Sequence, residues 1–109
     1  MNRGILSTIY TRLKKNYSLD AIYSMYLRRF KNEPWVRVLP KGVLPETRWV
    51  RGSMFCDLGI TLDRRTNRLI LVSAVDNLCR GASGQALANA NIMSGLPMTL
   101  GLDTAPLMP

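Results

Sequence analysis

The run Leu69 to Val75, LILVSAV, constrains the fold more than any other stretch of this 109-residue chain. It consists almost entirely of branched apolar residues, the composition of a strand covered on both faces. A partner for it lies just upstream. In Phe55 to Leu62 the set Cys56, Leu58, Ile60 and Leu62 alternates with Phe55, Asp57, Gly59 and Thr61, the pattern of a sheet with one wetted face. Asp63 to Asn67 reads as the turn between them.

Other segments extend this pair. Ile5 to Leu13 alternates and is rich in branched and aromatic types, which predicts a strand. From Ser18 the period becomes helical: Leu19, Ile22, Tyr23, Tyr26, Leu27 and Phe30 recur behind a Ser18 cap and an early Asp20, with Arg28, Arg29 and Lys31 at the end. The prediction is a helix from Leu19 to Lys31. Trp35 to Leu39 reads as a short strand, and Pro40, Gly42 and Pro45 mark a loop. Thr47 to Val50 reads as a further short strand. Gln85 to Met93 is a run of helix formers, bracketed by Gly81 and Gly84 before it and by Gly95 and Pro97 after it. We expect residues 1–95 to form the domain and 96–109, rich in proline and glycine, to be an irregular tail.

Lysine and arginine number 15 against 7 acidic residues, a net charge of +8, so an anionic partner is worth testing. The cations are spread from Arg3 to Arg80, and no basic arm stands out. Arg28, Arg29 and Lys31, or Arg64 and Arg65, read as solvated helix ends and turns, or else as attraction for a phosphorylated ligand. The chain has no histidine, so it cannot assemble a Cys/His or Ser/His pair, and no metal site is expected. Cys56 and Cys79 read as reduced, buried thiols. The longest apolar run falls far short of the roughly 20 residues of a membrane span, and the start lacks a signal-peptide pattern, so a cytoplasmic location is expected.

Ser73 to Gln85, SAVDNLCRGASGQ, leaves the apolar strand and enters a helix through Asp76, Asn77, Gly81 and Gly84. Such an entrance can point free amides at an anion. Equally, the glycines can serve helix packing while Asp76 and Asn77 cap the helix.

Several strings taken together resemble the N-acetyl-gamma-glutamyl-phosphate reductase family. They are RGILSTIY (Arg3 to Tyr10), EPWVRVLP (Glu33 to Pro40), LPETRWVRGS (Leu44 to Ser53), CDLGI (Cys56 to Ile60), and SAVDNL with RGASGQ (Ser73 to Gln85), in the family's order over nearly the whole chain. The resemblance implies an α+β fold, a mixed, largely antiparallel sheet with two helices, as part of a glyceraldehyde-3-phosphate-dehydrogenase-like C-terminal domain. It implies an NADP-dependent oxidoreductase of arginine biosynthesis that reduces an acyl phosphate to a semialdehyde and works as a homo-oligomer.

In that family a Rossmann domain, a catalytic cysteine and a histidine precede the arginine-glycine pair matching Arg3 and Gly4. These groups are therefore expected upstream of Met1, no catalytic residue is expected here, and the chain alone is expected to be inactive. The same resemblance places Arg3 beside a substrate carboxylate or phosphate, and Asn77 and Gly81 near the nicotinamide end of NADP. Met54 stands where the family usually has asparagine, Arg80 where lysine is commonest, and Ser94 where an aromatic is frequent. Two other readings remain: a small basic nucleic-acid-binding protein stacking bases on Trp35, Trp49 and tyrosines, and a self-associating interaction module.

Overall fold

A four-stranded sheet of order β1-β4-β3-β2 carries the chain, with residues 2–107 described in a computed structural model. The strands are β1 (Ile5–Arg12), β2 (Val36–Val38), β3 (Cys56–Asp63) and β4 (Arg68–Val75). β4 lies between β1 and β3, antiparallel to both, as its continuous apolar run requires; β2 joins β3 in parallel. The architecture is the mixed, largely antiparallel α+β arrangement expected. Met1, Met108 and Pro109 lie outside the described residues, so the end of the expected tail does too.

Helix α1 (Leu19–Arg29) starts where Ser18 caps it, its hydroxyl accepting from the Ala21 N–H at 3.1 Å. It ends two residues before the predicted Lys31, in a turn that leads to Pro34. Ile22 on its inner face meets Ile60 and Leu69 of the sheet, with Leu62, Leu71 and Tyr26 packed around them. The β3–β4 turn is local chemistry: Asp63 accepts from the Arg65 N–H and the Thr66 hydroxyl, and Asn67 takes the left-handed conformation with φ 51°.

Two expectations fail between β2 and β3. Thr47 to Val50 is not a strand: Thr47–Trp49 is a 3₁₀ turn, closed by the Trp49 N–H to Glu46 and the Val50 N–H to Thr47. Four residues of alternation cannot outweigh such short-range bonds after Pro45. The face of β3 read as wetted is the more enclosed one. Asp57 is fully buried, and Gly59 lies so close under the loop that a Cβ would stand 2.8 Å from Pro45 and 2.9 Å from the Val43 carbonyl oxygen. Asp57 is compensated by Arg37 of β2, which donates through Nε at 2.6 Å and Nη2 at 2.8 Å in a bidentate pair and covers Phe55 at 4.2 Å.

A second apolar cluster gathers Trp35, Met54, Ala88 and Leu102. Ala88 belongs to α2 (Gly84–Met93), which is entered through a π-helical turn, Cys79–Ser83. The tail has no regular structure, but it is pinned. The Asn91 amide donates to the Met98 and Leu100 carbonyls, the Leu107 N–H donates to Arg51, and Leu102 is buried.

Candidate functional site

β4 ends at Val75, and the next residue, Asp76, is fully buried. A buried carboxylate demands donors, and five converge on it. Oδ1 accepts from the Leu78 N–H at 2.8 Å and the Cys79 N–H at 3.1 Å, which caps the turn into α2. Oδ2 accepts from the Gly52 N–H and from Arg3, through Nε at 3.0 Å and Nη2 at 2.8 Å. Burial opposes the charge, but the Arg3 guanidinium and the three backbone N–H groups outweigh it and hold the Asp76 carboxyl at about 2.

The neighbouring residues are tied as closely. Gly4 donates its N–H to the Asn77 side-chain oxygen at 2.6 Å. Its φ of +99° and the Thr47 Cβ, 3.0 Å from where a Gly4 Cβ would lie, both call for glycine. Above Arg3 opens a cleft of about 80 Å³ lined by Arg3, Gly4, Thr47, Arg48, Arg51 and Asp76. Three guanidinium groups at one small cleft make its potential positive.

The structure thus brings together two of the three residues named from the sequence. Arg3 and Asn77 meet through Asp76 and Gly4. Gly81 stands apart, exposed in the π-helical turn, its N–H bonded to the Asp76 carbonyl at 3.2 Å and only the Asn77 Cβ within 4 Å of where its own Cβ would be. The expectation of free amides at this helix entrance is corrected: the N–H groups of Leu78 and Cys79 already have the Asp76 side chain, and that of Gly81 has its carbonyl.

Sequence reasoning missed the arginine cleft and the Arg37–Asp57 pair. The pair had a signal, opposite charges within two short apolar strands. Arg48 and Arg51 had none, because their convergence on Arg3 depends on the 3₁₀ turn. Cys56 and Cys79 are free and half-buried rather than fully buried; burial pushes both thiols up, and neither is activated. Trp35, one of the residues considered for base stacking, is buried.

Residues 1–77 match the family model described as the semialdehyde dehydrogenase, dimerisation domain. The chain belongs to that family. The match takes in the whole sheet and ends at Asn77, so Arg3, Gly4, Asp76 and Asn77 lie within it and Gly81 beyond it. Over all 109 residues the chain is 56% identical to proteins named N-acetyl-gamma-glutamyl-phosphate reductase from Geobacter sp. (strain M21) and Citrifermentans bemidjiense. It is 50% identical to the protein of that name from Lachnospira eligens. The chain covers 32% of each of the first two relatives and 31% of the third, so it spans about a third of their length.

Met54, which the resemblance set against an asparagine, has an apolar role in the structure. The side chain is buried in the second core, and a Cβ on Gly84 would lie 2.3 Å from its sulfur. An apolar contact fills the position where a hydrogen-bonding side chain was expected. Arg80 lies over the Trp35 ring at 5.4 Å.

Proposed function

We propose that the chain supplies substrate-binding and oligomerisation surfaces of an NADPH-dependent N-acetyl-gamma-glutamyl-phosphate reductase of arginine biosynthesis, a cytoplasmic enzyme. In that reaction, as the resemblance implies, a cysteine thiolate elsewhere in the enzyme displaces inorganic phosphate from the acyl phosphate to form a thioester. The thioester carbon then accepts a hydride, the C–S bond breaks, and the semialdehyde leaves while the thiolate is regenerated. The observation that carries this reading is the knot of Arg3, Gly4, Asp76 and Asn77. It holds a cation and an amide at one point of the surface, within the segment that matches the dimerisation-domain family.

Arg3 is the residue for a substrate oxyanion. Two of its nitrogens are occupied by Asp76, which fixes the guanidinium plane and leaves Nη1 to donate. Asn77 and Gly81 suit the carboxamide end of a nicotinamide. Because the Asn77 oxygen is taken by Gly4, the Asn77 amide group donates, while Gly81, whose N–H is engaged by the Asp76 carbonyl, has no side chain to block an approaching ring. The bound nicotinamide would supply the hydride; these side chains bind and orient. No histidine is present to move a proton, so we expect the chain alone to be inactive.

Two exposed apolar surfaces fit a part of a larger assembly. β1 presents Ile5, Leu6, Ile9 and Tyr10 to solvent along an edge strand, and α2 presents Leu87, Ile92 and Met93. We assign β1 to the contact between copies. The test is a chimera in which this chain replaces the corresponding third of the Geobacter reductase. The chimera should oxidise NADPH with N-acetyl-glutamyl phosphate, and the chain alone should not. A soluble chimera without turnover overturns the reductase reading, and turnover by the chain alone overturns its inactivity.

A further inference from the structure

We infer that the end of the sheet formed by the β1–α1 connection and the β3–β4 turn is a binding surface for single-stranded nucleic acid, with Tyr17 as its stacking platform. This goes beyond the reductase reading and does not rest on it. The surface lies at the opposite end of the β1–β4 pair from Arg3 and Asn77.

Charge singles out this end of the molecule. Arg12, Lys14, Lys15, Arg64, Arg65 and Arg68 are six of the chain's 15 cations, all exposed, and among the described residues none of them forms a salt bridge. The nearby carboxylates offset little of this. Asp63 is engaged within its turn by the Arg65 N–H and the Thr66 hydroxyl, and Asp20 is held by Lys41. Arg12 and Arg68 are direct cross-strand partners, and like charges so placed destabilise a sheet. A polyanion lying across them would turn that repulsion into attraction.

The two connections form one platform. The Leu13 N–H donates to the Asn67 carbonyl at 3.1 Å, and the Asn67 amide donates back to the Leu13 carbonyl at 3.2 Å. Between them a slot of about 270 Å³ is lined by Asn16, Tyr17, Ser18, Leu62, Arg64 and Asn67. That is more room than one phosphate needs. Its lining joins an aromatic ring that is 51% exposed, a guanidinium and side-chain amides, the groups on which a base stacks and to which its edge bonds. Ser18 also caps α1, so the positive end of the helix adds to the potential of the slot. An acidic peptide or an anionic membrane would be held by the cations alone and would leave the slot unused. A strand of nucleotides uses both.

The probe is a fluorescein-labelled oligouridylate of about ten nucleotides, titrated with the full chain and read by anisotropy over a series of salt concentrations. Saturable binding is expected, with log K falling by about 0.7 per engaged phosphate for each tenfold rise in salt. Lys15→Ala and Arg64→Ala should each weaken binding about fivefold and flatten the salt slope. Tyr17→Ala should weaken it about tenfold and leave the slope unchanged, and Tyr17→Phe should bind as the parent does. Lys31→Ala removes the same charge from an exposed position after α1 and should have no effect. Equal losses for Lys31→Ala and Arg64→Ala overturn the surface in favour of diffuse attraction to a basic protein. Binding that is indifferent to Tyr17→Ala, or that poly-glutamate matches at the same ionic strength, overturns the nucleic-acid assignment and gives the cations to an acidic protein segment. Saturable oligouridylate binding combined with an inactive chimera keeps this function and removes the reductase reading; an active chimera whose parent chain shows no saturable binding does the reverse.

Discussion

The two ends of the sheet are held by different chemistry. Near the β3–β4 turn, Ile22, Ile60 and Leu69 close an apolar cluster between α1 and neighbouring strands. At the opposite end, Trp35, Met54, Ala88 and Leu102 come from the residue before β2, a loop, α2 and the tail, and this end also holds two fully buried carboxylates, Asp57 and Asp76. The first end gains stability from area removed from water, at about 25 cal/mol per Å². The second depends on donors meeting acceptors, so its failure is abrupt when one partner is lost. The residues proposed to bind substrate and cofactor all sit at this second end.

The sharpest way to break that contrast is Asp76→Ala. It leaves the Arg3 guanidinium and three N–H groups without their acceptor, and we expect a loss of about 3–5 kcal/mol in urea unfolding. Ile60→Ala, at the apolar end, should cost about 2–4 kcal/mol. A smaller loss for Asp76→Ala than for Ile60→Ala would show that the polar end is not the more brittle one.

Gly84→Ala probes the packing of the second end. Alanine in a helix is ordinarily favoured over glycine by about 1 kcal/mol. Here the added Cβ would lie 2.3 Å from the Met54 sulfur and 2.8 Å from the Cys79 carbonyl oxygen, and the backbone contact cannot be relieved by a rotamer change. We expect the sign to reverse, with a destabilisation of about 2–3 kcal/mol. A stabilised variant would mean that α2 shifts freely against Met54.

Acid should act on the polar end first. The Asp76 carboxyl, at about 2 when folded against an ordinary 3.8, favours the folded state whenever it is charged. Its contribution, about 2 kcal/mol, is complete above pH 4 or so and disappears as the pH falls toward 2. NMR of the Asp76 side chain should give a midpoint near 2; a midpoint near 4 would remove the claim that the convergent donors stabilise its charge.

The same division explains what could be read from residues alone. α1, β1, β3 and β4 have their periodicity written over eight or more consecutive residues, and a period survives any tertiary arrangement that buries one face. The Thr47–Trp49 turn has no such length, and its conformation is fixed by bonds to Glu46 and by the Trp49 carbonyl accepting from Arg37. Asp57 fell on the wrong side of the reading because alternation reports polarity, whereas its burial depends on Arg37 twenty positions upstream. Arg3 and Asn77 were reached through a resemblance. Their physical connection runs through contacts 73 residues apart, which no local pattern encodes.

Asp20 and Lys41 complete the comparison, because they are also a carboxylate and a cation in contact, but at the apolar end and in water. Lys41 Nζ donates to Asp20 Oδ1 and lies 5.4 Å from the centre of the Tyr23 ring. The Asp20 side chain is 76% exposed and that of Lys41 44%, where Asp76 is 0%. Lys41 lowers the Asp20 pKa, yet solvent and salt screen the pair, and ordering a long lysine chain offsets what remains. Lys41→Met should therefore leave the urea midpoint within experimental scatter, and Asp20→Asn should do little more, through its place in the first turn of α1. If either change approached the loss expected for Asp76→Ala, burial would not be what separates the two ends, and the positioning assigned to Asp76 would have to come from the number of its donors alone.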